Sequence, residues 1–253
     1  MASVMEKFKS LVYAVSLVAT AAVVVACSES FTDDRDGQSY NTIQIGDQLW
    51  MAENLNFAGV GGVAGDEKSN VVAAGSFCPE GDERNCKKYG RLYTWEAAQV
   101  ACPAGWRLPT GNDFMKLIAA ADPAGVLLES GNVQPATSKH QPEIFGGQSV
   151  VAANKAGGVL KSSGGWFKKG NGSDAIHFKA LPAGYMIAAE TDSEKPSDGK
   201  FDGIGGYAHI WSSSTDEQEP AFAYYLYLDF SSMAAGFNSF SKLDARSVRC
   251  VKY

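Results

Sequence analysis

The chain has five cysteines, and four of them are candidates for covalent cross-links. Cys78 and Cys86 flank a short polar loop, whereas Cys102 and Cys250 lie far apart. Four cysteines allow three pairings, and we expect Cys78 to pair with Cys86 and Cys102 with Cys250. A metal site is the competing interpretation, but no histidine accompanies a Cys-x-x-Cys pair. We therefore expect two disulfides, no metal and no cofactor.

The fifth cysteine, Cys27, follows a segment that is typical of a secretion signal. Two lysines precede an apolar run over 11–25, and small and aliphatic residues stand directly before the cysteine. This ending resembles the bacterial lipobox, in which the thiol is diacylated and the cysteine becomes the first mature residue. We expect a lipoprotein signal peptide over 1–26, acyl chains such as palmitate on Cys27, and a mobile tether over 27–35.

The alternatives to a lipid anchor are an uncleaved transmembrane helix and an ordinary signal peptide. The apolar run is shorter than the about 20 residues that a spanning helix needs. Acyl chains contribute about 0.8 kcal/mol per buried methylene and hold a protein at a membrane without a span. Ser28, in place of an aspartate after the cysteine, indicates the outer membrane. We therefore expect a cell-envelope protein, a location in which disulfides are the usual state of paired cysteines.

Composition limits the classes of partner. The chain has 253 residues, 45% of them hydrophobic, so it can bury a full core. Its 22 basic residues are outnumbered by 28 acidic ones, which leaves no excess positive charge to neutralise a phosphate backbone. We expect no nucleic-acid partner, and we expect a monomer. The 27 glycines and 9 prolines favour numerous turns over long helices.

Residues 90–114 carry the strongest local structural signals. Thr94 can cap a helix whose inner face carries small apolar residues, and a Pro-Ala-Gly turn ends that helix. Thr110, Asn112 or Asp113 can begin a second helix with Phe114 on its apolar face. The best strand candidates come later in the chain, over 207–214, 221–230 and 247–251.

Six motifs follow one another along the chain, at 46–56, 90–95, 102–110, 180–185, 211–213 and 247–251. Together they resemble the Fibrobacter succinogenes major paralogous domain. The resemblance runs from about Asp33 to the C terminus, and we expect one domain over 36–253. It implies an α+β fold similar to C-type-lectin-like and formylglycine-generating-enzyme-like domains, with two short helices, small antiparallel sheets, long loops and two disulfides. It also implies an exported protein, often a lipoprotein, with no settled activity.

The residues argue against two activities that such folds suggest. A calcium-dependent lectin needs a carboxylate on its binding strand, but 211–213 read Trp-Ser-Ser, and the Gln-Pro-Glu triplet at 141–143 leaves the oxygen cage incomplete. A formylglycine-generating oxidase needs two reactive thiols late in the chain, where Cys250 stands alone. The three histidines are too dispersed in sequence to propose a catalytic base. We therefore predict no catalytic residues and no enzyme.

Aromatic side chains supply the remaining candidate site, because aromatic faces stack on sugar rings and anchor protein partners. Core packing is the competing interpretation for many of them. We place the ligand on the loops over 125–202. The candidate ligand-binding residues are Trp166, Phe167, Tyr185 and Tyr207, with Tyr225 and Tyr227 as further aromatic faces.

The function predicted from the sequence is a non-enzymatic surface binding or adhesion module, with polysaccharide as the candidate ligand. An envelope module that binds another protein is the alternative, and a formylglycine-generating-type enzyme comes third. Arg107 and Arg249 are expected to support the fold through buried hydrogen bonds rather than to bind an anion.

Overall fold

The fold is taken from a computed structural model, which describes residues 29–59, 75–125, 150–151, 155–188 and 199–252. These residues form thirteen strands in two sheets, four α-helices and two 3-10 turns. The expected signal peptide over 1–26 and the expected lipidation site Cys27 lie outside the described residues. Among the described helices, none is long and apolar enough to cross a membrane.

The smaller sheet has four strands in the order β1-β2-β3-β13, and every pairing in it is antiparallel. Its last strand comes from the C-terminal end of the chain, so the sheet joins the two ends of the domain. The strands are β1 (Ser30–Thr32), β2 (Ser39–Ile45), β3 (Gln48–Met51) and β13 (Val251–Lys252).

The larger sheet has nine strands, eight of them in the order β4-β5-β12-β7-β9-β10-β11-β6, with β8 paired to β7. β9 runs parallel to both β7 and β12, and the other pairings are antiparallel. The strands are β4 (Ser76–Phe77), β5 (Leu92–Thr94), β6 (Val150–Val151), β7 (Ala183–Ile187), β8 (Lys200–Ile204), β9 (Tyr207–Thr215), β10 (Phe222–Asp229), β11 (Ala235–Ser241) and β12 (Ala245–Ser247).

The helices are short, and two of them begin at the threonines that the sequence indicates. The Thr94 side chain accepts a hydrogen bond from the backbone of the next helix, and Thr110 forms a capping box with Asp113. The two helices predicted over 90–114 are thus confirmed. The four helices are α1 (Glu83–Tyr89), α2 (Trp95–Ala101), α3 (Gly111–Ala121) and α4 (Ala156–Leu160), and 3-10 turns cover Pro79–Gly81 and Phe167–Lys169.

The expected fold class, an α+β domain of the C-type-lectin-like kind with two short helices and small antiparallel sheets, is wrong. The described chain is mainly β, and most of its strands belong to one large mixed sheet. The segments that form β8 and β11 have little period-two hydrophobic alternation, and they become strands because each pairs along its length with a neighbour, β11 with β10 and β8 with β7. Strand formation depends on such cross-strand partners more than on local sequence.

The core lies where α2 and α3 pack against the sheets. Phe114 of α3 stacks on Trp50 of the small sheet, with 5.5 Å between ring centroids, and Leu226 of β10 belongs to the same buried cluster. The alanines on the inner face of α2 pack in a second cluster with Trp211 of β9. The two helices therefore contact opposite faces of β9 and β10: α3 packs on the face that carries Leu226, and α2 packs against Trp211, which alternation places on the same face as Tyr225.

Both expected disulfides are present, one between Cys78 and Cys86 and one between Cys102 and Cys250. The second joins the end of α2 to the last strands of the chain, across a sequence separation of 148 residues. Part of the segment expected as a tether over 27–35 is folded, because Ser30–Thr32 pairs with β2. Its folding partner lies within the domain, so the segment that could act as a tether is shorter than expected.

Two arginines support the fold, as expected from the sequence. Arg249 is fully buried and donates from Nε and Nη2 to Asn54 Oδ1, at 3.1 and 2.7 Å, and from Nη1 to the carbonyl of Phe178. Burial lowers the pKa of Arg249 to about 10. Arg107 forms a bidentate pair with the buried Asp113, at 2.6 and 3.0 Å, which fixes the turn that precedes α3.

Candidate functional site

The large sheet carries a pocket on one face, formed where β7, β9, β10, β11 and β12 are neighbours. The pocket has a volume of about 80 Å³, and its accessible lining is largely apolar. Tyr185 comes from β7, and Tyr207 from β9, and their rings lie 6.2 Å apart. Two of the four aromatic residues predicted to bind a ligand are therefore brought together here.

The other two predicted aromatics are placed elsewhere. Trp166 is 6% exposed, packs in the core cluster with Phe178, and donates from Nε1 to Ser162 Oγ at 3.0 Å. Phe167 is 55% exposed and lies outside the pocket, with its ring 6.4 Å from that of Phe230. The site is also not confined to the loops over 125–202, because most of the pocket residues follow that segment.

Strand alternation explains why polar and aromatic residues share the pocket face. Tyr207 and His209 are two residues apart on β9, and Tyr225 and Tyr227 are two residues apart on β10, so each pair points to one side of the sheet. The register places Tyr227 directly opposite His209 and Tyr225 directly opposite Asn238 of β11. Residues far apart in sequence thus meet through strand pairing.

His209 occupies the centre of this aromatic group. Its ring stacks on Tyr185, with 4.7 Å between centroids and an angle of 13°, and its centroid lies 4.7 Å from that of Tyr225 and 5.2 Å from that of Tyr227. Burial, and to a smaller extent the charge of Arg246, hold the pKa of the imidazole well below its usual value of 6.5. Neither ring nitrogen has a hydrogen-bond partner within the described part of the chain. The neutral imidazole therefore lines the pocket with one hydrogen-bond donor and one acceptor, neither of which has a partner among the described residues.

Arg246 of β12 is the second buried polar residue of the pocket. Its guanidinium carbon lies 4.3 Å from the ring centroids of both Trp211 and Tyr225, so the group is held between two aromatic rings. Nη2 donates to Asp244 Oδ2 at 3.2 Å, while Nε and Nη1 make no hydrogen bond among the described residues. Asp244 Oδ1 accepts from the backbone N–H of Ala188 at 3.0 Å. Burial raises the pKa of Asp244, an effect that Arg246 opposes.

The tyrosines and Asn238 complete the set of polar groups. Burial raises the pKa of Tyr185 to about 12 and also raises the pKa of Tyr225, so both phenols stay protonated near neutral pH. The Tyr227 hydroxyl donates to Asp229 Oδ2 at 2.9 Å. Asn238 is 2% exposed, and its Oδ1 has no partner in the described ranges. The pocket thus presents aromatic faces above a layer of buried donors and acceptors.

The unsatisfied polar atoms of the structure are concentrated at this pocket. Among the described residues, six buried side-chain nitrogen or oxygen atoms have no hydrogen-bond partner, and five of them belong to His209, Asn238 and Arg246; the sixth is Asn56 Oδ1. Buried polar atoms of a folded protein are rarely left unpaired, since each costs about 1–3 kcal/mol. Their clustering in one cavity makes it the candidate functional site.

Sequence reasoning found the tyrosines but missed His209, Asn238 and Arg246. The alternating Tyr-x-His and Tyr-x-Tyr patterns on β9 and β10 were the available signal for His209, because they place four side chains on one face of adjacent strands. Arg246 had no such signal, since it reaches the pocket only through the pairing of β12 with β7 and β9.

Other residues with metal or catalytic chemistry do not join the pocket. Cys78, Glu83 and Cys86 lie close enough together to resemble a metal site, but both sulfurs are bonded in a disulfide and cannot act as thiolate ligands. His177 is exposed, and its ring is not part of the pocket lining. The Gln-Pro-Glu triplet at 141–143 and His140 lie outside the described residues.

Comparison with known proteins gives one match. The family model described as Fibrobacter succinogenes major domain matches residues 43–252, which include the whole large sheet and every pocket residue, whereas β1 and the start of β2 precede the match. A search of the curated proteins finds no match, and a search of the solved structures finds none.

Proposed function

Given that the chain belongs to the Fibrobacter succinogenes major domain family, we propose that it is a non-enzymatic binding module whose pocket holds a saccharide unit of a polysaccharide. One observation carries the proposal: aromatic faces and unpartnered buried polar atoms converge on the same cavity. The aromatic faces suit the C–H face of a sugar ring, and the polar atoms suit its hydroxyls.

The polar groups supply both kinds of partner that a hydroxyl needs. Asn238 Oδ1 is an acceptor, and the neutral His209 ring offers one donor and one acceptor. A sugar hydroxyl can donate a hydrogen bond to Asn238 Oδ1, and a hydroxyl can either donate to or accept from the His209 ring. Buried polar atoms without partners lower the stability of the free protein. A polyhydroxylated ligand that forms hydrogen bonds with them removes this loss, which favours binding.

The pKa directions favour binding over catalysis. A general base near neutral pH needs a pKa close to the working pH, whereas burial moves the pKa of His209 down and that of Tyr185 up to about 12. The carboxylate that lines the pocket, Asp244, is paired with Arg246. This supports a role as a binding module rather than an enzyme.

The proposed location is the outer membrane of the cell envelope, where the monomer is anchored through lipid on Cys27. The two disulfides support an exported protein, because disulfides persist in oxidising compartments. Mass spectrometry of the N-terminal peptide from membrane fractions tests the anchor. The expected result is a diacylated or triacylated Cys27, and Cys27→Ala is expected to move the protein to the soluble fraction; an unmodified N terminus at another residue contradicts the anchor.

A protein partner is the second candidate, favoured by large exposed apolar side chains outside the pocket. Phe167 is 55% exposed and Met233 is 54% exposed. Lys168 and Lys169 adopt positive φ angles of 48° and 65°, a costly backbone conformation for lysine that holds the turn carrying Phe167. Exposed aromatics of this kind anchor protein interfaces.

The polysaccharide proposal is tested with a binding screen and a pair of tyrosine variants. Tyr227 and Tyr224 are both half-buried on β10 but point to opposite faces, and only Tyr227 lines the pocket. Tyr227→Ala is expected to weaken saccharide binding at least about 10-fold through loss of stacking, whereas Tyr224→Ala is expected to bind as the wild type does. A screen of soluble and insoluble polysaccharides identifies the ligands, and isothermal titration calorimetry with these ligands measures the affinity of each variant. Addition of a chelator is expected to leave the affinities unchanged.

Two outcomes decide against the proposal. Equal loss of binding in both variants, or in neither, places the ligand away from the pocket. Absence of saturable binding to every polysaccharide in the screen removes the saccharide ligand altogether and leaves the protein partner, which Phe167→Ser then tests. Urea unfolding of each variant, read before the titrations, shows which proteins remain folded.

A further inference from the structure

Arg246 has two N–H groups for which the described part of the fold supplies no acceptor. The residue is 2% exposed, and its guanidinium lies between the rings of Trp211 and Tyr225. Of its nitrogens, Nη2 alone has a partner in the described part of the chain, at 3.2 Å, which is at the long end for a charged pair. Arg249, by comparison, uses all three nitrogens for hydrogen bonds in the same protein.

The counter-ion of Arg246 is incomplete as well. Asp244 contributes one oxygen to the pair, and its other oxygen is taken by the backbone N–H of Ala188. A buried guanidinium is usually matched by a carboxylate in a two-bond fork, with the remaining donors satisfied by other oxygens. A buried charge that is only partly paired lowers the stability of the folded protein. A ligand that supplies a negatively charged oxygen to this charge removes that unfavourable free energy on binding.

We propose that the saccharide bound in the pocket carries a carboxylate, as a uronic acid does, and that Arg246 receives it. This inference rests on the proposed function and names the class of sugar. The planar guanidinium matches a carboxylate in shape and charge, and stacking between two rings leaves its edges available for hydrogen bonds. Asn238 Oδ1 and the His209 ring then serve the hydroxyls of the same sugar.

Access to the guanidinium requires a small rearrangement. The unpartnered Nε and Nη1 of Arg246 have almost no accessible surface, because pocket side chains cover them. Phe240 lines the pocket, is half-buried, and has its ring centroid 5.5 Å from the guanidinium carbon. Rotation of this ring is the movement that we expect to admit a carboxylate, and rotamer changes of that size are common at binding sites.

The test compares acidic sugars with their neutral counterparts. The probes are oligosaccharides of galacturonate, glucuronate and mannuronate, and the same oligosaccharides with each carboxyl reduced to the alcohol, titrated into the full chain. The best-bound acid is expected to bind at least about 10-fold more tightly than its reduced form, since a charge-assisted hydrogen bond is stronger than a neutral one. Equal affinity for the two forms overturns the inference and leaves the saccharide proposal standing. Binding of none of the acids also overturns the inference, and the polysaccharide screen then decides the saccharide proposal separately.

Variants of the ion pair assign the effect to Arg246. Arg246→Gln is expected to remove the preference for the acid and to leave the weaker affinity for the reduced sugar, while Arg84→Gln, a change at an exposed arginine paired with Asp82, is expected to keep the preference. Should Arg246→Gln fail to fold, Asp244→Asn gives a second reading. Removing this competing carboxylate is expected to tighten acid binding several-fold and to leave binding of the reduced sugar unchanged; unchanged affinity for the acid contradicts the inference.

Discussion

Replacing His209 with glutamine is expected to remove a pH dependence from the stability of the protein. The imidazole is 5% exposed among tyrosine rings, and burial keeps its pKa in the folded state well below 6.5. In the unfolded chain the same side chain is exposed and takes up a proton near pH 6.5. The unfolded state therefore binds more protons below that pH, and the free energy of unfolding rises as the pH rises through it.

The size of the effect follows from the difference in bound protons. Between about pH 7.5 and about pH 5.5, a histidine that is protonated only when unfolded changes the free energy of unfolding by about 1.4 kcal/mol. The folded protein is more stable at the higher pH by this amount. Asp244, whose pKa burial raises, contributes with the opposite sign, since its stabilising proton is lost as the pH rises. That contribution is present in wild type and variant, so their difference isolates His209.

The assay is urea unfolding at the two pH values, followed by tryptophan fluorescence. The wild-type difference between the two pH values is expected to exceed that of His209→Gln by about 1.4 kcal/mol. His177→Asn is the matched control, because His177 is exposed and asparagine tolerates its φ of 57°. A variant that keeps the full wild-type difference would mean that His209 takes up its proton in the folded protein, and the neutral imidazole assigned to the pocket would then be wrong.

Two further changes test the scaffold. Replacing Cys102 and Cys250 with alanine is expected to lower the free energy of unfolding by about 5 kcal/mol, against about 3 kcal/mol for Cys78 and Cys86, because the longer closed loop restricts the unfolded chain more. Urea unfolding of the two double variants measures these losses. A larger loss from opening the shorter loop contradicts the prediction. Arg249→Met is expected to cost about 3 kcal/mol by leaving buried oxygen acceptors without a donor; a loss below about 1 kcal/mol in the same assay would show that the network is dispensable.

Local signals carried the part of the fold that could be predicted. Thr94 and Thr110 mark helix starts through side-chain capping, which acts within three residues and is readable from sequence. The two disulfides followed from cysteine number and spacing. The core side of β10 was also readable, because its leucines alternate with tyrosines and the leucines are the fully buried residues.

The large sheet could not be predicted, because long-range pairing creates it. β12 becomes a strand by contacting β5, β7 and β9, segments that are distant in sequence. No local pattern encodes those partners, and the length of β12 is only Ala245–Ser247. The same pairing brings Arg246 to the pocket, so the residue that sets the proposed ligand class was the one least visible in the sequence.

Core packing is the strongest competing explanation for the pocket, and the distribution of unpaired atoms argues against it. A tyrosine cluster that served stability alone would be best filled by an apolar side chain at position 209, since an aromatic hydrocarbon ring has no nitrogens to desolvate. The chain instead has His209 there, beside Asn238 and Arg246, and each leaves buried polar atoms without a partner among the described residues. Unpaired polar atoms lower stability wherever they occur, and functional sites are where proteins retain such costs. The unpaired atoms therefore favour the proposed ligand over core packing as the reason for the pocket.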